Sequence, residues 1–142
     1  MSPLYVAEPP ARYFHRPPVV LDCSVLASVL FKEASREEAA ALLVGKSLQA
    51  PHVLDSELAS VALKKKESET PEAIENAFAK YHDYDIELHP TDARGQYELA
   101  RRYQLSAYDA AYLWLASALH VPLLTFDKKL AKAAREHLAG LA

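Results

Sequence analysis

The stretch "PPVVLDCSVL", Pro17 to Leu26, decides how this chain is read. Val19-Val20-Leu21 is too short and too β-branched for a helix and reads as a buried strand, whereas Ser24 onward carries the apolar spacing of an amphipathic helix. Asp22 therefore stands where a strand becomes a helix. A local role is open to it, since Asp before a helix accepts hydrogen bonds from first-turn amides. A functional role is open too, because open α/β sheets bind ligands outside the carboxyl ends of their strands. Which role holds depends on whether other acids meet it there.

The same grammar recurs along the chain. Ser35-Arg36-Glu37-Glu38 reads as a capping box opening the helix "REEAAALLV", which Gly45 is placed to end. "SLQAP" from Ser47 reads as a short strand, and the helix after it carries Glu57 beside an apolar stripe of Leu54, Leu58, Val61 and Ala62. Thr70-Pro71 is an N-cap with proline at the first helical position, opening "EAIENAFAKYH". "DIELH" alternates as a strand, Thr91 is expected to cap "DARGQYELARRYQL", and Ser106 the most apolar helix, "AYDAAYLWLASAL". "VPLLTF" reads as a buried strand and "DKKLAKAAREHL" as an amphipathic helix. Short strands alternating with helices predict an α/β domain with a mainly parallel central sheet flanked by helices.

The 142 residues, 51% of them hydrophobic, suit one domain with a real core. We assign residues 18–142 to it and residues 1–17, which have no clear place, to an N-terminal extension. A net charge of −3 offers no global attraction to nucleic acid, so a polyanionic substrate requires a local basic patch. The single cysteine, Cys23, excludes an internal disulfide and a thiolate metal cluster and reads as a small core residue. Residues 1–18 hold no apolar signal core, and the longest apolar run, around Val25 to Phe31, is too short to span a bilayer. The expectation is a cytoplasmic protein with no membrane segment.

The strand "LLTFD" ends, as the first does, on a carboxylate, Asp127, so two parallel strands deliver two acids to one edge of the sheet. Asp109 lies in the first turn of an otherwise apolar helix, where Ser106-Ala107-Tyr108-Asp109 also fits a loose capping box. Glu57 by itself reads equally as a solvated helix residue. As a set, the four can meet in one cleft without any matching histidine or cysteine. Like charges about 5 Å apart repel by roughly 3 kcal/mol per pair at an effective dielectric near 20, so such a cluster requires a cation. Oxygen-only sites select hard ions, Mg²⁺ or Mn²⁺, and the chemistry this implies is metal-assisted phosphodiester hydrolysis.

"VLDCSVL", the acid within "LDSELASVALKK", and "LSAYDAAYLWLASALHVPLLTFDKKL" together resemble the PIN-domain ribonucleases, and most closely the VapC-type toxins of prokaryotic toxin–antitoxin pairs. The resemblance covers about residues 18–138. It implies a PIN fold, with Asp22, Glu57, Asp109 and Asp127 as an acidic quartet around Mg²⁺ or Mn²⁺. Ser24 and Thr125 match hydroxyl positions that orient the acids or metal-bound waters, although a capping role serves Ser24 as well. Single-stranded or structured RNA as substrate, a cognate VapB-type antitoxin and a homodimer are further implications. Lys64, Lys65, Lys66, Arg101, Arg102, Lys128, Lys129, Lys132 and Arg135 are candidates for phosphate contact, although most charged helix residues are only solvated faces; Lys128 and Lys129 are favoured because they follow Asp127. The extension before the first strand, and the lack of a strand after the last helix, depart from the family pattern.

A haloacid dehalogenase-type phosphatase would need a second Asp where Ser24 stands, and no acid follows the middle strand as a response regulator requires. The remaining alternative is a non-catalytic PIN-like module that binds RNA or protein.

Overall fold

The structure, a computed structural model, describes residues 4–5 and 16–141. The expected extension over residues 1–17 thus lies outside the described residues, apart from Leu4, Tyr5, Arg16 and Pro17. The order of elements is β1 (Pro18–Leu21), α1 (Cys23–Leu30), α2 (Arg36–Leu43), β2 (Ser47–Pro51), α3 (Val53–Lys65), α4 (Pro71–Asp83), β3 (Glu87–His89), α5 (Ala93–Tyr103), α6 (Ala107–Leu119), β4 (Leu123–Leu124) and α7 (Lys128–Ala139). The strands form one four-stranded sheet in the order β3-β2-β1-β4, and each neighbouring pair is parallel. The expected parallel sheet flanked by helices is therefore the observed one.

The strand order decides where a ligand can bind. From β1 the chain steps outward through β2 to β3, then returns to place β4 on the other side of β1. The crevice at the carboxyl ends of β1 and β4 is thus the switch point, where the following helices diverge and leave an opening. Leu21 pairs with Leu124, so the residues that follow, Asp22 and Thr125, face each other across it. Asp22 N–H also donates to the Leu124 carbonyl at 3.1 Å.

Val19, Val20 and Leu21 are buried because helices cover both faces of the central strand. α6 explains its own composition. Tyr112, Leu115 and Ala116 belong to the core built on β1 and α1, while Ala110 and Leu113 pack with Leu99 and Leu130 in a second cluster under α5 and α7. A helix buried on two sides has no room for a polar face. Gly95 allows α5 to lie close to it, since a Cβ there would meet the Trp114 indole at 2.4 Å.

Three local expectations are corrected. Ser35 stands at the N-cap of α2, but no side-chain cap forms, because its hydroxyl shares a 2.6 Å hydrogen bond with Ser28, a buried α1 residue that needs a partner. α5 is capped by Asp92, whose carboxylate accepts from Gly95 N–H, while the Thr91 hydroxyl donates to Gln96. The charged acceptor is the stronger cap of the two. The last strand is two residues long and half-buried rather than buried through "VPLLTF", because β4 is an edge of the sheet. Gly45, at φ +73°, does follow α2 as its sequence position implied. Among the described residues no helix is long and apolar enough to cross a membrane.

Candidate active site

Asp22 is only 5% exposed and holds the centre of the crevice. It caps α1, with Oδ1 accepting from Val25 N–H at 3.3 Å, so the local role read from the sequence is real. The rest of its environment is not local. Oδ1 also accepts from the Ser24 hydroxyl at 2.6 Å, and Oδ2 from the Thr125 hydroxyl at 2.5 Å, a residue 103 positions away in sequence. Each hydroxyl in turn accepts a backbone amide from the β4–α7 turn: Phe126 N–H reaches Ser24 Oγ at 3.1 Å, and Asp127 N–H reaches Thr125 Oγ1 at 2.9 Å. Two amide–hydroxyl–carboxylate chains thus tie both strand ends together through one buried acid. Burial pushes its carboxyl above the ordinary range, with the two hydroxyls pulling against that rise.

Asp127 is exposed and caps α7, accepting from Leu130 N–H at 2.9 Å. Asp109 sits half-buried in the first turn of α6. One half of the capping box is present there, since Ser106 Oγ accepts from Asp109 N–H at 3.0 Å. Burial raises the Asp109 carboxyl, and the charges of Asp127 and Asp22 raise it further, against the Ser106 hydroxyl and the Lys129 ammonium. Glu57, half-buried on α3, is raised first by burial and then by the charges of Asp109 and Asp22, while a hydrogen bond from Tyr112 opposes them. The charges of Asp22 and Asp127 thus bear on Asp109, and those of Asp22 and Asp109 on Glu57, so the four acids share one electrostatic field centred on Asp109. Among the described residues no three acidic, histidine or cysteine side chains stand close enough to form a ready metal shell. The only ion pair among those residues, Lys65 to Glu33 at 3.3 Å, involves none of the four.

Sequence reasoning missed Tyr112. Its side chain is fully buried, yet its hydroxyl donates to Glu57 Oε1 at 2.7 Å, fixing the glutamate from beneath. The signal was available: Tyr112 lies one turn after Asp109 on the same apolar helix, and a buried tyrosine hydroxyl must find an acceptor. Nothing local named that acceptor. Cys23 behaves as expected, a buried thiol pushed up to about 12 by burial and by the charges of Glu57, Asp22 and Glu33. Lys128 and Lys129 are exposed at the start of α7, and only Lys129 acts on Asp109.

Mutual repulsion has a measurable consequence. Asp109→Asn removes a raised carboxylate while the Ser106 cap, which uses the backbone N–H, survives. After allowance for solvent screening the metal-free protein should gain about 1 kcal/mol, or about 3 °C in melting temperature. Melting in EDTA measures this, and a variant that melts lower than wild type would mean that Asp109 is paired rather than repelled.

Comparisons with known proteins identify the family. A family model described as PIN domain matches residues 19–136. Ribonuclease VapC9 of Mycobacterium tuberculosis and a VapC ribonuclease of Mycobacterium bovis are each 29% identical to the chain over 114 residues, spanning 79% of this chain and 87% of the relative. A crystal structure of a protein from Pyrobaculum aerophilum aligns with a TM-score of 0.66 at 16% identity, covering 89% of this chain and 96% of the other, a likeness of fold alone. The matched residues run from β1 into α7 and include all four acids: the chain belongs to the PIN-domain family.

Proposed function

We propose that this chain is a Mg²⁺- or Mn²⁺-dependent endoribonuclease, the toxin of a VapBC-type pair acting in the cytoplasm, with residues 18–142 as its catalytic domain behind an extension at residues 1–17. The observation that carries the reading is the shared field of Asp22, Glu57, Asp109 and Asp127 at the switch-point crevice, with no ion-pair partner for any of them among the described residues. The names of its VapC relatives support it.

A hard divalent cation fits this donor set, which offers carboxylate oxygens and no histidine or thiolate. Mg²⁺ takes only one or two protein carboxylates and keeps several waters, which agrees with acids that share a field without closing into a shell. Asp22, Glu57, Asp109 and Asp127 would hold the ion, one or two of them directly and the others through its waters, and the bound ion would supply a water of lowered pKa and neutralise charge on the scissile phosphate. The protein's own part is to keep these oxygens aimed. Ser24 and Thr125 favour the ionised form of Asp22 and orient it by donating to both of its oxygens, and Tyr112 does the same for Glu57 through one oxygen. Lys128 and Lys129 contact flanking phosphates of single-stranded or structured RNA. A VapB-type antitoxin would silence the site by presenting a basic side chain to the acids, and the active unit would be a homodimer.

Purified protein should cut RNA with Mn²⁺ or Mg²⁺ and stop with EDTA. Expression alone should arrest growth, and co-expression of the small protein encoded beside it should relieve the arrest. Folded protein that binds RNA but leaves it intact under every metal condition would instead identify a non-catalytic module.

A further inference from the structure

A second constellation lies beside the acids. Between the C-terminal end of α5 and the first turns of α7 is an open cavity of about 410 Å³ whose charged lining is Arg102, Lys129 and Lys132 against the single carboxylate of Glu136. In a chain of net charge −3 this is a local surplus of positive charge, the condition a polyanion requires. It is also pre-organised. The Arg102 guanidinium lies 5.2 Å from the centroid of the Tyr103 ring, and that ring is held in turn by a 3.0 Å hydrogen bond between its hydroxyl and His137 Nδ1. Lys129 belongs to both places, since it lines the cavity and its charge acts on Asp109.

Two large aromatic side chains are exposed on residues that adjoin the acids in sequence. Tyr108, 62% exposed, immediately precedes Asp109, and Phe126, 36% exposed, immediately precedes Asp127. The Phe126 backbone is fixed by the hydrogen bond that its N–H donates to Ser24 Oγ. Exposed aromatic faces on residues next to the acids, together with a pocket of surplus positive charge that shares Lys129 with them, are the pairing that single-stranded nucleic acid uses, with bases stacked on rings and the backbone tracked by cations.

We propose that the Arg102–Lys129–Lys132 pocket binds a phosphate of single-stranded RNA adjacent to the one at the acids, and that bases flanking the cut stack on Tyr108 and Phe126. This rests on the ribonuclease reading and adds the path and strandedness of the substrate. Arg102 and Lys132, far from each other in sequence, form one subsite only in the fold.

The test reads binding by fluorescence anisotropy, using a labelled single-stranded RNA of mixed sequence, its duplex form, and the full chain in EDTA at several salt concentrations. Wild type should prefer the single strand. The double variant Arg102→Gln, Lys132→Gln should bind at least about tenfold more weakly at low salt, and its log–log salt slope should shrink by about 1.4, or 0.7 per lost contact. Tyr108→Ala and Phe126→Ala should each weaken binding by about tenfold with the salt slope unchanged, and should erode the preference over duplex. Lys80→Gln, on the exposed face of α4, should bind as wild type does. All these side chains are exposed, and melting curves matching wild type verify folding. Should the double variant melt early, the single changes Arg102→Gln and Lys132→Gln carry the test, each with half the slope change. A wild-type slope in the pocket variants, or no binding by wild type, overturns the pocket; unchanged binding in both aromatic variants overturns the stacking. In parallel, wild type is given total cellular RNA with Mn²⁺. Failure to cut would sink the ribonuclease reading itself, whereas cutting alongside unaffected pocket variants would sink only this inference.

Discussion

Asp22→Asn should fold, melt within a few degrees of wild type and lose at least about 100-fold in RNA cleavage, the scale on which removal of one electrostatic stabiliser is felt. The stability expectation follows from two opposed effects. Burial makes the ionised carboxylate costly, so replacing it with a neutral amide relieves that cost. The amide, however, offers one acceptor oxygen where the Ser24 and Thr125 hydroxyls donate to two, so one hydroxyl loses its acceptor. The catalytic expectation has no such offset, because the charge at the centre of the crevice is gone. Cleavage rates and melting curves on one preparation test both halves. A well-folded Asp22→Asn protein with wild-type activity would reduce the residue to a helix cap.

Thr125→Val should be the more damaging change to stability. Valine matches threonine in shape, but it withdraws the donor to Asp22 Oδ2 and the acceptor for Asp127 N–H. Loss of a hydrogen bond to a buried charged group costs about 1.5–3 kcal/mol, and loss of a residue that orients a ligand lowers activity about 10- to 100-fold. The effect depends on pH in a defined direction. Asp22 already has a folded pKa above its ordinary value, so its contribution to stability is fullest below the unfolded value and declines as pH rises through the folded one. Removing the Thr125 hydroxyl raises the folded pKa further. The deficit of the variant should therefore be widest near neutrality and shrink as pH falls to about 4. Urea titrations across that range measure it, and a deficit independent of pH would place the damage in packing rather than at the carboxylate.

The features legible in the sequence are those decided within a few residues. The strand-to-helix change at Asp22, the Thr70 and Ser106 caps, and the twin endings "VVLD" and "LLTFD" all depend on hydrogen bonds spanning about one turn, so residue type and spacing suffice. The same locality caused the errors. Thr91 and Asp92 are adjacent residues of capping type that spacing alone does not separate, and Ser35 fits a box whose hydroxyl is taken by Ser28 on the neighbouring helix.

Taken alone, the sequence determined that the chain alternates short strands with helices and sets carboxylates at particular ends of them, because periodicity and capping are properties of neighbouring residues. Only the tertiary structure decided that β4 lies against β1 on the side away from β2, which sets Thr125 opposite Asp22 and opens the crevice between them. It alone joined Tyr112 to Glu57 across 55 residues, and Arg102 to Lys132 across the gap between α5 and α7. Strand order and side-chain contact at such separations follow from burying both faces of one sheet at once, a condition on the whole chain that no short segment carries.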